Sequence, residues 1–172
     1  LASFVGYAFI YTGYLKHATP QNIVIGGLAG AMPPLLGWSA VTGTIEADAV
    51  VLVLIIFAWT PPHFWALAIN RKEEYAKSGI PMLPVTHGER VTKIHILVYT
   101  AILVLISVFP SLIGNSSLFY LAAAVALGAG FLHWSVKLMR RPEPSTAMDT
   151  FRYSIVYLAL LFIALVVDHY LF

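Results

Sequence analysis

The chain of 172 residues contains no cysteine, and only 10% of its residues are charged. The absence of cysteine excludes a disulfide framework, a thiolate zinc site, an iron–sulfur cluster and a cysteine nucleophile. Soluble domains carry about 25% charged residues, so this chain has too few polar groups to cover a soluble fold of its size. A net charge of +2 gives no reason to expect a nucleic-acid partner. Hydrophobic residues make up 59% of the sequence, which predicts an integral membrane protein within the lipid bilayer.

The apolar residues fall into runs that suit helices crossing the hydrocarbon core, for which roughly 20 residues are needed. They predict an all-α, polytopic membrane helix bundle with about six transmembrane helices. The first run has no initiator Met and no signal-peptide pattern. We therefore expect residues 1–172 to be the C-terminal part of a single, longer transmembrane domain whose N-terminal helices are missing. The six runs are Leu1–Leu15, which is slightly short, Asn22–Val41, Ala49–Ile69, Ile94–Ile113, Leu118–Lys137 and Arg152–Leu171.

The connections between these runs alternate in charge. All ten Lys and Arg residues lie in or beside Lys16–Gln21, Asn70–Lys93 and Leu138–Phe151. The other connections and the C-terminal end carry no Lys or Arg, and their only charged residues are Glu46, Asp48 and Asp168. Basic loops of membrane proteins face the cytoplasm, so the three basic connections are expected on the cytoplasmic side of a bacterial inner membrane.

Adjacent prolines interrupt two predicted spans, Pro33-Pro34 in the second and Pro61-Pro62 in the third. Proline lacks a backbone donor and crowds the carbonyl one turn earlier, so each pair is expected to kink its helix. Freed carbonyls at membrane depth are tolerated where they are buried in protein or line a wet cavity. Both kinks are therefore expected to face inward, either toward a site or as packing kinks without a ligand.

His63 follows the second proline pair, inside the third span. An ionisable residue within a span is a functional candidate, because imidazole can ligate a metal or relay a proton. A structural hydrogen bond is the alternative. The neighbouring Trp59, Phe64 and Trp65 offer aromatic faces that suit a planar ligand or a cation.

The connection Asn70–Lys93 concentrates charged residues of both signs. Asn70 and Glu74 are four residues apart, so on a helical extension of the third span their oxygens would face the same way. Oxygen ligands suit Mg²⁺, which often shares them with a phosphate. A solvated charge cluster that follows the positive-inside rule is the alternative. If a phosphate binds, its remaining charge would be held by Arg71, Lys72 and Lys77.

Four sequence blocks follow one another in order: Tyr14–Gly27, Gly30–Pro34 with Gly37-Trp38, Pro61–Ile69, and Glu74-Tyr75 with Gly79–Val85. Together they resemble the heme O synthases, or protoheme IX farnesyltransferases, a family of intramembrane aromatic prenyltransferases. The resemblance covers residues 11–93 by motif, and beyond them it depends on hydropathy and the number of spans.

The resemblance implies nine helices around a central cavity, of which this chain would supply about six. Members of the family hold Mg²⁺ and a prenyl diphosphate with two acidic motifs on the cytoplasmic side. The first motif would precede this chain, and the second falls on Asn70–Glu74. The chain has Glu74 where an aspartate is commoner, which lengthens the side chain that carries the carboxylate.

The implied reaction transfers the farnesyl group of farnesyl diphosphate to a vinyl group of heme B and yields heme O. Mg²⁺ is then the cofactor, heme B is a substrate rather than a cofactor, and heme A synthase is a further partner. The piece of 172 residues is expected to be inactive alone. The implied roles are Glu74 and Lys77 as catalytic residues, Asn70 and Glu74 as metal ligands, Lys16, Asn22, Arg71 and Lys72 for the diphosphate, and His63, Trp59 and Phe64 for heme.

Three other functions fit parts of the pattern. A sister prenyltransferase acting on a quinone or chlorophyll precursor would not be expected to carry the block Pro61–Trp65. A transporter would show matching broken segments in two related halves, whereas the proline pairs lie in consecutive spans. A non-catalytic heme-binding membrane subunit would not need the charged connection Asn70–Lys93.

Overall fold

The computed structural model describes residues 19–140 and 143–171. In these ranges the chain forms helices and no strand, which confirms the all-α prediction. The predicted span Leu1–Leu15 and the candidate ligand Lys16 lie outside the described residues. The helices are α1 (Asn22–Gly30), α2 (Pro33–Thr42), α3 (Ala47–Asn70), α4 (Lys72–Lys77), α5 (Leu83–Thr86), α6 (Gly88–Leu112), α7 (Leu118–Arg140) and α8 (Pro144–Leu171).

Five stretches in the described ranges are long and apolar enough to cross a membrane. They correspond one to one with the predicted spans after the first, so the chain is an integral membrane protein. Their bounds are Asn22–Thr42, Ala47–Asn70, Gly88–Leu112, Leu118–Arg140 and Ser145–Leu171.

Two helix starts predicted from hydropathy are wrong. α6 begins at Gly88 rather than Ile94, and α8 begins at Pro144 rather than Arg152. The predicted connection Leu138–Phe151 is consequently helical over most of its length. Hydropathy marks where the polar residues begin, but a helix satisfies its own backbone and can continue into the aqueous region. Both extensions add polar residues to the end of the bundle that carries the candidate site.

The two proline pairs act differently. Pro33 opens α2 as its first helical residue, where its missing N–H costs nothing, and α1 has already ended at Gly30. Pro33 is exposed and Pro34 is half-buried. Contrary to the prediction, this pair does not face inward. Pro61 and Pro62 lie inside the continuous helix α3, and both are buried, as predicted for an inward-facing pair.

Four long helices form a ring in which each packs against two neighbours. α3 contacts α6 and α8, and α7 packs between α6 and α8 on the opposite side. The centre of the ring is filled by Ile55, Leu103, Phe131, Tyr157 and Leu161, all fully buried. α1 and α2 lie outside the ring, against α3.

Polar side chains inside the ring are hydrogen-bonded to one another. The hydroxyl of Tyr157 lies 2.7 Å from the Ser107 hydroxyl, and the Tyr120 hydroxyl donates to the Ser107 carbonyl over 2.8 Å. Small residues allow the helices to approach closely, because a Cβ at Gly128 would lie 2.9 Å from Val104. A Cβ at Gly130 would collide with the hydroxyl of Tyr153.

The charges separate between the two ends of the bundle. Every Lys and Arg in the described ranges lies at or near the end where α3 and α7 finish and α6 and α8 begin, here called the basic end. At the other end, the Asn115 amide donates to the Asp48 carboxylate. There Asp168 accepts from the backbone N–H groups of Ser117 (2.9 Å) and Tyr120 (3.3 Å). The separation agrees with the alternating pattern, while the side of the membrane that each end faces stays a prediction.

Candidate functional site

A cleft of about 520 Å³ opens at the basic end, where α3 finishes, α4 turns away and α6 begins. α3 ends at Asn70, and the backbone of Arg71 (φ −105°, ψ 27°) leaves the helical conformation before α4 starts. The predicted continuous helix from Asn70 to Glu74 is therefore absent, although both residues line the cleft. The residues lining this charged cleft are Ile69, Asn70, Arg71, Lys72, Glu73, Glu74, Ala76, Glu89, Lys93 and Glu143.

The segment that closes one side of the cleft is anchored by apolar residues. Gly79 has a positive φ of 66° and terminates α4, since the N–H of Ile80 reaches back to the Tyr75 carbonyl at 3.3 Å. Leu83, in α5, is then buried in an apolar cluster with Ile69. This docking holds α4 beside the start of α6, which brings acidic and basic side chains from distant positions together.

Three ion pairs join the charged side chains of the cleft. Glu89 lies 3.6 Å from Lys72 and 3.3 Å from Lys93, so one carboxylate bridges two cations. Arg71 and Glu74 are 3.9 Å apart and largely exposed. Lys93 is only 8% exposed in its side chain, which makes it the most protected cation of the cleft. Glu89 and Lys93 belong to no predicted site, although their i, i+4 spacing is that of a helical ion pair.

The cleft has a small excess of negative charge. Three cations (Arg71, Lys72 and Lys93) face four carboxylates (Glu73, Glu74, Glu89 and Glu143). An anionic ligand would meet net repulsion unless a cation entered with it. Among the described residues, no three or more His, Asp or Glu side chains converge closely enough to hold a metal ion. Mg²⁺ keeps several waters and needs only one or two protein carboxylates beside phosphate oxygens, so the donors available here fit it.

The remaining predicted diphosphate and catalytic residues lie elsewhere. Lys77 is exposed at the end of α4 and does not line the charged cleft. Asn22 is buried in the first turn of α1, with 1% of its surface exposed, and it is not a wall of the cleft either. Their roles stay predictions, as does that of Lys16, which lies outside the described residues.

His63 lies deeper in the bundle, 7% exposed and held between two aromatic rings. Its ring stacks on Trp59 at 4.1 Å and on Phe151 of α8 at 4.5 Å between centroids. Nδ1 lies 2.6 Å from the hydroxyl of Ser154, while the Trp59 indole N–H donates to the Ser154 carbonyl over 2.7 Å. The proposed structural hydrogen bond of His63 is therefore present, and it leaves the second ring nitrogen for other contacts.

His63 and Trp59 line an apolar groove of about 470 Å³ between α3 and α8. We call it the α3–α8 groove. Its walls are Ile56, Trp59, His63, Phe151, Ile155, Leu158, Ala159 and Phe162.

Phe64 lies on the other side of α3, in a cavity of about 360 Å³ against α1. Three glycines of α1 make room there, and a Cβ at Gly27 would lie 3.0 Å from Thr60. Trp59 borders both this cavity and the α3–α8 groove, so the two spaces are adjacent. Trp65 is fully buried against the rings of His95 and Tyr99, which removes it from the ligand-facing aromatic residues.

The described part of the chain thus has five stretches long and apolar enough to span a membrane, a charged cleft at one end and apolar spaces below it. Such an arrangement defines a polytopic membrane helix bundle that carries a charged and an apolar candidate site. The family model described as "UbiA prenyltransferase family" matches residues 1–167. The chain belongs to the UbiA prenyltransferase family.

Curated relatives agree with this assignment over the whole of the chain. It is 68% identical over 171 residues to Protoheme IX farnesyltransferase 1 of Pseudomonas fluorescens (strain Pf0-1), covering 99% of this chain and 57% of that protein. It is 64% identical over 172 residues to Protoheme IX farnesyltransferase of Marinobacter nauticus, covering 100% of this chain and 57% of that protein. The chain therefore spans a little over half the length of the curated relatives that it matches.

One solved structure has the same fold. It comes from work described as "Structural and mechanistic insights into the biosynthesis of Digeranylgeranylglyceryl phosphate synthase in membranes". The TM-score is 0.83, and the match covers 93% of this chain and 56% of that chain. Sequence identity is 19%, so this likeness concerns the fold alone.

Proposed function

We propose that the protein carrying this chain transfers the farnesyl group of farnesyl diphosphate to a vinyl group of heme B, forming heme O. The observation that carries the proposal is the division of one helix, α3, between two environments. Its C-terminal end forms part of the charged cleft, and Trp59 and His63 line an apolar groove below. His63 precedes Asn70 by seven residues, which is about 10 Å along a helix. The names of the relatives, 64–68% identical, support the same reaction.

The diphosphate belongs in the charged cleft, because burying its charge in hydrocarbon is prohibitive. Arg71, Lys72 and the protected Lys93 supply positive charge there. Asn70 and Glu74 would hold Mg²⁺, which on binding supplies the charge that stabilises the departing diphosphate. The excess of carboxylates in the cleft is consistent with this pairing of an anionic substrate and a divalent cation.

The apolar parts of both substrates belong below the cleft. When the allylic C–O bond of farnesyl diphosphate breaks, the diphosphate leaves with the electron pair, and the vinyl group of heme B attacks the farnesyl carbon. Water then adds the hydroxyl group and a proton is released. Trp59 and Phe64 line apolar spaces from which their rings can stabilise the developing cation and exclude other water.

The finer assignments of place and partner belong to the same proposal. We place the protein in a bacterial inner membrane with its basic end in the cytoplasm, following the distribution of Lys and Arg. The chain would form the C-terminal part of one prenyltransferase domain. Heme A synthase is the proposed recipient of the product, since so apolar a molecule needs a membrane-bound acceptor.

The role of Glu74 gives the most direct test of the reaction. In the complete protein carrying this sequence, Glu74→Gln should lower heme O formation by about 10²–10³-fold, because a charge-stabilising group is lost. Glu74→Asp should retain much more activity, since it keeps the carboxylate. Glu46→Gln, an exposed carboxylate at the opposite end, should leave the rate unchanged. The measurement is chromatographic quantification of heme O from heme B and farnesyl diphosphate in membranes.

Two results would contradict the proposal. If Glu74→Gln formed heme O at the parental rate, the cleft would not hold the metal and diphosphate. If the parent bound heme B but never converted it in the presence of farnesyl diphosphate, the protein would be a non-catalytic heme-binding subunit.

A further inference from the structure

Ser154 of α8 is the point at which α8 meets the functional face of α3. It is fully buried, and its carbonyl accepts the hydrogen bond from the Trp59 indole at 2.7 Å. Its hydroxyl lies 2.6 Å from the Phe151 carbonyl and 2.6 Å from Nδ1 of His63. One residue therefore fixes Trp59 and His63, two of the three side chains of α3 that line the α3–α8 groove.

The directions of these bonds follow from the chemistry of the groups. A carbonyl can only accept, so the hydroxyl of Ser154 must donate its single proton to Phe151. Toward His63 the hydroxyl oxygen is then the acceptor, and Nδ1 of the imidazole carries the hydrogen. In neutral imidazole, one nitrogen carries hydrogen and the other has a free lone pair. Ser154 thus selects the tautomer in which that lone pair is on Nε2.

The surroundings restrict what this lone pair can meet. Trp59 and Phe151 cover the two faces of the ring, so a ligand can reach His63 only at its edge. Nε2 has no hydrogen-bond partner among the residues that the structure describes. The groove that His63 lines is otherwise walled by apolar side chains such as Ile56, Ile155 and Leu158. Since Ser154 occupies Nδ1, Nε2 is the ring nitrogen that remains for a ligand in this groove, and its lone pair suits the metal centre of a planar, apolar ligand.

We infer that Ser154 is a positioning residue that orients His63, so that Nε2 coordinates the iron of the porphyrin substrate in the α3–α8 groove. This inference rests on the proposed function, because it takes heme B as the ligand. It assigns Ser154 a role comparable to that of the outer partners of metal-binding histidines, which fix the ring and its tautomer. The coordinated iron would hold the porphyrin at a defined depth below the charged cleft.

The test is equilibrium titration of the purified complete protein with ferric heme B, followed by optical absorption and electron paramagnetic resonance. Ser154→Ala should weaken heme binding by about 10–100-fold and remove the histidine-ligated spectrum. Ser154→Thr should keep both, because its hydroxyl can make the same two bonds. Ser135→Ala is the matched control, since Ser135 is a buried serine of α7 whose hydroxyl is hydrogen-bonded to that of Thr100 in α6, away from the α3–α8 groove.

A second variant separates ligation from folding. His63→Gly should lose the histidine-ligated spectrum and recover it when imidazole is added, which an unfolded protein could not do. If Ser154→Ala and His63→Gly both kept the parental spectrum and affinity, the inference would be wrong while the proposed function stood. If only Ser154→Ala kept them, Ser154 would not be a positioning residue. If the parent failed to bind heme B, the proposed function would fall together with the inference.

Discussion

The charged cleft and the α3–α8 groove adjoin the same helix, yet they are built in opposite ways. In the cleft, Arg71 and Glu74 are 55% and 72% exposed and 3.9 Å apart, and such pairs contribute only about 0–1 kcal/mol. In the groove, His63 is 7% exposed and is fixed by two stacked rings and a 2.6 Å hydrogen bond. The cleft can therefore rearrange around a ligand and a metal ion, whereas the groove has its shape before the ligand binds.

This difference in construction predicts that the cleft selects its ligand by charge and that the groove selects its ligand by shape. A cleft with carboxylates and cations in near balance responds to charge, and it discriminates poorly between apolar tails. A preformed apolar groove responds to shape and to the single nitrogen of His63. The two regions would then recognise the two substrates independently, and changes in one region should leave the other intact.

Within the charged cleft, the burial of each cation predicts how much it contributes to binding of the diphosphate. Lys93→Met should weaken binding of a non-hydrolysable farnesyl diphosphate analogue by about tenfold or more, since a charge-assisted hydrogen bond is worth about 1.5–3 kcal/mol. Lys72→Met should cost only a few-fold, because Lys72 is 42% exposed and its charge is better screened. Calorimetric titration measures both affinities. Lys93→Arg keeps the charge and should restore most of the binding, and heme binding serves as the check that each variant is folded.

An equal or larger loss for Lys72→Met would contradict this ranking. It would mean that Lys72, at the start of α4, is the main contact of the diphosphate and that the pair of the buried Lys93 with Glu89 is structural.

Salt should weaken ligand binding in the charged cleft more than in the α3–α8 groove. The effect should be smaller than that of removing a cation from the cleft. Raising ionic strength from about 0.05 M to about 0.5 M shortens the screening length well below 10 Å. Binding of the diphosphate analogue should weaken several-fold, whereas binding of heme B should change by less than twofold. Parallel titrations of both ligands across this range measure the effect. An equal salt dependence would show that the heme also depends on the charged cleft.

The architecture could be predicted from the sequence to a large extent, because membrane spans follow from composition alone. The sequence predicts the five spans in the described ranges, and it also predicts that His63 lies inside a span. Ionisable residues are rare within spans, which makes His63 a candidate from the sequence alone, while its role stays a prediction. The helix starts at Gly88 and Pro144 were missed, because hydropathy locates the edge of the hydrocarbon and not the end of a helix.

The details of the candidate site depend on contacts that no local pattern encodes. Ser154 contacts His63 across 91 residues of sequence. Phe151, which stacks on the same histidine, lies before the predicted start of its helix at Arg152. Glu89 bridges Lys72 and Lys93 only because α5 docks and returns the chain to the cleft. The ion pair of Glu89 and Lys93 can be predicted from its i, i+4 spacing, but the burial of Lys93 cannot. The break at Arg71 was equally hidden, since nothing between Asn70 and Glu74 forbids a continuous helix.

In the proposed arrangement, the diphosphate and the porphyrin bind at different depths on α3. Equilibrium binding of heme B and of the farnesyl diphosphate analogue to the complete protein and to two variants tests this arrangement. His63→Ala should weaken heme binding by about tenfold or more and leave the analogue within twofold of the parent. Arg71→Ala should do the reverse, with a several-fold loss for the analogue alone. If His63→Ala instead bound heme like the parent and lost the analogue, His63 would belong to the diphosphate site and the arrangement at two depths would be wrong.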